Sequence, residues 1–271
     1  MISMSIPARC LLLTGATCLL AGHLMAAELH SETVRAWERY VRVTEARIER
    51  DLQVVEKRRV LEAISSNKVV VWSLETVDGA GKKIPIPKGR IHHWRGAVLI
   101  PKVMIEPALQ VIRNPLNWAD YYKGVLESRL VERSEDFELI YLKLRRSQGM
   151  VEAAYNTENR VQHQWHGETF ASSTSIATRI AEIVDLGKDT EHEKPEGNDR
   201  GFLWRLNVYW KYRQVEEGLL VECETLTLSR DVPLLLRFFV GPLIARTARN
   251  SMAKTLDSLR NQVLSELVPE N

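Results

Sequence analysis

"GFLWRLNVYWKYR", Gly201 to Arg213, is the stretch on which the fold turns. Taken at every second residue it gives Phe202, Trp204, Leu206, Val208, Trp210 and Tyr212; between them stand Leu203, Arg205, Asn207, Tyr209, Lys211 and Arg213. A period of two is that of a β-strand, whose side chains alternate between the faces of a sheet. One face is therefore apolar and rich in aromatic rings, and the other mostly polar or cationic. A Trp or Phe covers ~150–250 Å² of apolar surface. Such a face either fills a core or lines a space that something else occupies.

The neighbouring sequence extends the β pattern. "GLLVECETLTLSR" follows, and "DFELIYLKLRR", "MVEAAYNTE", "RVQHQWHG" and "SSTSIATRIAEIVD" precede it, with the turn-rich "GKDTEHEKPEG" (Gly187 to Gly197) as a solvent loop. Further back, a strand from about Ile91 to Ile100 stops at Pro101. A short helix comes next, with Val103, Ala108, Val111 and Ile112 inward and Pro115 at its end, then an aromatic loop "NWADYY" and a strand from near Gly124. "KVVVWSLETV" reads as a short strand, and Asp78 to Gly89 as a connector.

Both ends of this β region turn helical. Residues 31 to 64 repeat apolar positions at three- and four-residue steps (Val34, Trp37, Val41, Thr44, Ile48, Leu52, Val55), with Ser31 as N-cap. After "SRDVP" a second helical pattern carries Ala245, Ala248, Met252, Leu256, Leu259, Val263 and Leu267 on one stripe, and Gly241-Pro242 separates its early apolar part. An antiparallel sheet with one greasy face needs a cover, and the last helix is long enough to supply it.

This order resembles the START-like superfamily, also called helix-grip, polyketide-cyclase-like or SRPBCC. The resemblance is carried by "VLIP", "KVMIEPALQVIRN", "NWADYY" and "GVLESRLVE", and by "DRGFLWRLNVYW" and "VECETLTLSRDVP" before a long helix, a closing unit similar to exported bacterial members without assigned activity. It implies an α+β helix-grip fold: a curved antiparallel sheet of about six or seven strands wrapped around the long C-terminal helix, with an extra N-terminal helix. Residues 89–267 would form the domain, and 28–88 a helical segment, short strand and linker. The resemblance also implies a hydrophobic cavity between sheet and helix that holds lipids, sterols, quinones or polyketides. Phe202, Trp204, Leu206, Val208, Trp210, Tyr212, Met252 and Leu256 are then the expected lining. The family has no universal catalytic motif, so no catalytic residue and no cofactor are expected.

Polar groups near that face also admit plainer roles. Arg179 and Glu222 are the candidate head-group anchor, since a guanidinium and a carboxylate can hold a ligand by charge-assisted hydrogen bonds; the favoured reading of such a pair is a cross-strand ion pair on the solvent side. Leu235, Phe238 and Phe239, in the apolar run "VPLLLRFFVGPLIA", are the expected lid, open also to buried packing or peripheral membrane contact. His92–His93, His163, His166 and His192 lack the spacing and companions of a metal site. Cys223, mid-strand with no His-Asp set nearby, reads as a buried thiol. There is no Gly-x-Ser-x-Gly and no phosphate-binding glycine loop.

Composition sets the outer limits. The 271 residues are 45% hydrophobic and 27% charged, with a formal net charge of +2, which gives no case for nucleic acid as a partner. In residues 1–27, Arg9 precedes an apolar run from Cys10 to Ala21, and Ala26 and Ala27 give way to "ELHSE". That is the pattern of a secretory signal peptide cleaved near Ala26/Ala27, which places the protein in the periplasm or outside; the alternative is an N-terminal membrane anchor. The function expected is binding, with or without transport, of a lipid or other hydrophobic small molecule. A cyclase/aromatase-like or hydrolase enzyme using the same cavity, and an envelope module docking through the N-terminal helix, are the alternatives.

Overall fold

The computed structural model describes residues 28–52, 57–148, 151–195, 197–231 and 237–268. The expected signal peptide lies outside these. Among the described residues, strands β1 Val70–Ser73, β2 Gly89–Pro101, β3 Val125–Arg133, β4 Glu138–Gln148, β5 Val151–Trp165, β6 Phe170–Val184, β7 His192–Glu193, β8 Arg205–Val215 and β9 Gly218–Arg230 form one antiparallel sheet. Its order is β1-β2-β9-β8-β6-β5-β4-β3, with the short β7 paired to β6. This exceeds the six or seven strands expected, although "MVEAAYNTE" and "RVQHQWHG" prove to be one continuous strand, β5. The helices are α1 Ser31–Arg50, α2 Lys57–Ser66, α3 Ile105–Ile112, α4 Trp118–Tyr121 and α5 Arg237–Leu267, with a 3-10 turn at Pro115–Asn117.

Alternation along the strands assigns the faces. Gly96, Val98 and Ile100 of β2, Val221 and Cys223 of β9, and Tyr212 of β8 share one core with Met252, Leu256, Leu259 and Val263 of α5. This is the inner face. α3 joins the same core through Ile105, Ala108, Leu109 and Ile112. The helix runs unbroken through Gly241-Pro242, where a break was expected. Proline there removes one backbone donor, the one that would reach the carbonyl of residue 238, and the helix continues past that single lost bond.

The helical reading of 31–64 resolves into two helices that cover different parts of the outer face. α1 ends at Arg50, where the backbone N–H of Asp51 donates to the Arg47 carbonyl and that of Leu52 to the Glu49 carbonyl. It packs Trp37 and Tyr40 on Tyr209, Leu226 and Leu228, whereas α2 places Ala63 against Val70, Trp72 and Ala97. The buried stripe of α1 is Thr33, Trp37, Tyr40 and Thr44, rotated from the apolar stripe read in the sequence. Hydrogen bonds explain the rotation: the hydroxyl of Thr33 donates to the Pro87 carbonyl at 2.7 Å, and those of Thr44 and Thr76 meet at 2.6 Å. A satisfied hydroxyl can be buried where its polarity alone argues for water.

Candidate functional site between the sheet and the C-terminal helix

The half of the inner face nearest β2 is packed tight. A Cβ on Gly96 would stand 2.6 Å from Leu256 Cδ1 and 3.1 Å from Met252 Cγ, so α5 lies directly on the β2 backbone there. Of the expected lining residues, Val208, Trp210, Tyr212, Met252 and Leu256 do meet in this core. The Trp210 and Tyr212 rings stack with planes 4° apart. Leu206 shares their face by alternation and is partly exposed. The other two depart from expectation because β8 begins only at Arg205. Trp204 lies under α1 in the outer cluster, its indole N–H donating to Asp199 at 3.1 Å. Phe202 is 37% exposed, with the guanidinium groups of Arg200 and Arg230 at 5.1 and 5.2 Å from its ring.

Toward β4 and β5 the inner face has a different character. Ile140, Leu144, Tyr155 and Val161 are buried there, with Thr157 and Asn159 buried among them. None of these belongs to the described core clusters. The Asn159 amide donates to Thr157 Oγ1 at 2.9 Å and to the Ile140 carbonyl at 3.3 Å. The wall is thus apolar with a satisfied amide and hydroxyl at its middle. On α5, Gln262 is fully buried and both its amide atoms lack a hydrogen-bond partner, as does the Tyr155 hydroxyl of β5.

Where this wall approaches α3, polar side chains gather. Strand pairing sets Glu138 opposite Val161 and His163 opposite Ser173, and Ser173 opposite Trp210. His163 Nδ1 and Ser173 Oγ are 2.6 Å apart, and Ser173 also hydrogen-bonds Tyr212. His163 Nε2 stands 3.6 Å from Glu138 Oε2, and both atoms are buried without a hydrogen-bond partner. Burial, aided by the nearby charge of Arg113, pushes the His163 imidazole down to about 4, so the ring is neutral at pH 7. Arg113, the C-cap of α3, completes the group: its guanidinium lies 5.8 Å from the Trp165 ring centroid, with Nε and Nη2 buried and unpartnered. Arg113 and Glu138 were not singled out in the sequence. They lie 25 positions apart by their numbers, and only strand pairing with β5 gathers them with His163.

The expected anchor pair does not form. Arg179 pairs through both terminal nitrogens with Glu193 of β7 on the exposed side. A bulge between Glu158 and Asn159 makes Arg179 pair with Glu158 while Ala177 pairs with Asn159, and the extra residue turns Arg179 outward. Glu222 is buried on the outer face of β9, where it accepts from Arg95 at 2.6 Å. Leu235 lies outside the described residues; Phe238 and Phe239 stand in the first turn of α5, and their side chains lie outside them too.

Glu222 belongs to a second, outer network that fastens α1. Tyr40 meets His93 Nδ1 at 3.0 Å, His93 Nε2 meets Glu224 at 2.7 Å, and Arg47 of α1 also donates to Glu224. Lys211 donates to the Asp51 carbonyl at 3.0 Å, and Arg213 to that of Leu52 at 2.9 Å. Burial alone would raise the Glu224 carboxyl, but the His93 hydrogen bond and the charges of Arg47, His93 and Arg95 outweigh it and hold the group below its usual value. Ile48, Arg95, Tyr209, Lys211, Glu222 and Glu224 enclose a void of about one water's size. Adjacent His92 faces the other way, toward Ser229 at 3.1 Å. Among the described residues no three His, Cys, Asp or Glu side chains are grouped to hold a metal, and no helix is long and apolar enough to cross a membrane.

No protein-family model matches the sequence, and no curated protein matches it. Solved structures do match. Human StAR-related lipid transfer protein 5 is 11% identical, with a TM-score of 0.52 over 86% of this chain and 99% of that one. A STAR-related lipid transfer protein from Xanthomonas axonopodis is 14% identical, with a TM-score of 0.46 over 70% and 98%. The Zhui aromatase/cyclase of a Streptomyces species is 8% identical, with a TM-score of 0.42 over 66% and 98%. At such identities the likeness is one of fold. With a curved antiparallel sheet gripping a long C-terminal helix, the chain is by fold a START-like, helix-grip protein.

Proposed function

We propose that the protein binds one hydrophobic small molecule, a lipid or a molecule of similar character, between the β4–β5 half of the inner face and α5. The observation that carries this reading is the buried wall of Ile140, Leu144, Tyr155 and Val161, which stands apart from the core that α5 closes over β2. The fold agrees, since neighbours that share it are lipid transfer proteins and aromatase/cyclases. Trp210, Tyr212, Met252 and Leu256 would form the floor, packed by the protein itself, and the β4–β5 wall the side that receives the guest. Burial of apolar surface at ~25 cal/mol per Å² would supply the affinity, less the cost of association.

The docking alternative for the N-terminal helix loses its basis, because α1 spends its apolar face on the protein's own sheet. We also infer export from the composition of residues 1–27, which N-terminal sequencing of the mature protein checks. The binding reading is tested by native mass spectrometry of protein purified from its own host. An apolar adduct, and saturable binding of an environment-sensitive dye that the extracted adduct displaces, are expected. Adduct-free protein with no saturable dye site would end it.

A further inference from the structure

The guanidinium of Arg113 is the group whose surroundings least account for it. Nε and Nη2 form one edge of the planar group, the side-on fork that takes two oxygens of a carboxylate or phosphate at once. Both are buried and neither has a hydrogen-bond partner. Burial lowers the Arg113 guanidinium from its ordinary range, with the Tyr212 and Glu138 side chains opposing that shift. Glu138 does not close the fork: its Oε1 accepts from Arg133 Nε at 2.8 Å, and its Oε2 has no hydrogen bond. His163 pairs with Ser173 Oγ through Nδ1, and its Nε2 is a further buried ring nitrogen without a hydrogen-bond partner. Native proteins rarely leave such donors unmatched, and a charged one is the most costly to leave so.

An acceptor from outside the chain would resolve the imbalance. We propose that Arg113, assisted by His163, anchors a terminal oxyanion of the guest, so that the ligand is an apolar chain ending in a carboxylate or phosphate rather than a neutral ester or sterol. This rests on the binding reading above and narrows it to a ligand class. Trp165 marks the entrance: its ring lies 5.8 Å from the guanidinium, and the residue is 45% exposed at the end of β5. The apolar chain then runs along Val161 and Ile140 toward Tyr155. The neutral His163 ring can donate without adding a second full charge beside Arg113.

The test titrates the full mature protein with dodecanoic acid, dodecyl phosphate and methyl dodecanoate by calorimetry. One or both acids should bind about tenfold to a hundredfold more tightly than the ester, the range of a charge-assisted hydrogen bond. Arg113→Met should erase that preference while keeping the affinity for the ester, and should leave the melting temperature of the ligand-free protein unchanged or higher. Arg113→Lys, which keeps the charge without the fork and preserves folding if Met does not, should lose most of the preference. Equal binding of acids and ester by the unaltered protein would overturn the anchor and leave the binding reading standing. Binding of none of the three would overturn both. A preference that survives Arg113→Met, with a lowered melting temperature, would make Arg113 a structural residue only.

Discussion

Beneath α1 the outer face of the sheet buries His93, Arg95, Lys211, Glu222 and Glu224, and each has a bonded partner. At the α3 end of the inner face, Arg113, Glu138 and His163 keep buried atoms with none. The same sheet thus carries two polar groups in unequal states of completion, Arg213 Nε being the one atom of the outer network described above that is also buried without a partner. A buried charge costs several kcal/mol unless its partners are in place, so a complete network fastens what it touches. An incomplete one is tolerated in a folded protein when some other need keeps it there. The outer network is therefore read as the fastening of α1, and the inner one as a site.

The sharpest way to break this contrast is to remove the centre of the outer network. Glu224→Ala strips His93, beneath the helix, and Arg47, on it, of their shared acceptor. Loss of ~3–5 kcal/mol in chemical denaturation is expected, as for one partner of a buried ion pair, together with faster proteolysis within α1. A loss below ~1 kcal/mol, the scale of an exposed pair, would show that α1 is held by Trp37 and Tyr40 alone.

Acid separates the networks more gently. Burial holds His92 and His163 down to about 4 against an ordinary 6.5, with Arg90 and Arg113 adding to the shift. The folded imidazoles refuse a proton that the unfolded chain accepts. The stability they contribute is therefore present above pH 6.5 and drains away as pH falls toward 4, at no more than about 1.4 kcal/mol per unit for each group. Glu224 runs differently: its carboxyl is held low, so its contribution persists until pH falls beneath the ordinary carboxylate value of 4.5. Denaturation midpoints measured from pH 7 to 4.5 should fall steadily, and His163→Gln should flatten part of that slope. A midpoint constant across this window would contradict the burial of both rings.

Much of this architecture was readable in the sequence, and the failures have identifiable causes. Period-two alternation located β8 and the inward Val208, Trp210 and Tyr212, but it ran past the strand's true start and carried Trp204 and Phe202 to the wrong place. The apolar period of residues 31–64 gave the helices but missed their break and the buried Thr33, because hydroxyl partners are set by tertiary contact. The anchor was misassigned for a related reason. A bulge at residues 177–179 reverses the alternation of β6, and nothing in "SSTSIATRIAEIVD" announces it. Arg113, Glu138 and His163 come from a helix end and two strands, and only the register of the folded sheet assembles them.

Gly96 tests the packed half of the inner face. Gly96→Ala places a methyl group 2.6 Å from Leu256 Cδ1 and 3.3 Å from the Val70 carbonyl, inside a core where Leu256 is fully buried. Some of that clash is relieved by rotation of the leucine, which leaves a cost of ~1–3 kcal/mol for overpacking. The matching change at Gly187, which is also a glycine but has nothing within 4 Å, would strain only its positive φ of 76°. If Gly96→Ala instead stabilises the protein, then α5 does not rest on β2 as described and the packed half has room to spare.

The smallest effect is expected at the residue that the sequence recommended most. Arg179→Ala removes a two-pronged contact with Glu193, but the side chains are 46% and 32% exposed, and Glu193 keeps its bond from Asn156 at 2.8 Å. Exposed pairs contribute ~0.2–1 kcal/mol, so the denaturation midpoint should barely move. Affinity for an acid-tailed ligand should not move at all, because Arg179 lies on the outer side of the sheet. Arginine number and net charge change alike in Arg179→Ala and Arg113→Ala; what differs is the side of the sheet on which the cation stands. A tenfold loss of acid affinity in the Arg179 variant would therefore reverse the assignment of faces on which the inner site depends, whereas a loss confined to the Arg113 variant ties oxyanion binding to the inner face of the sheet.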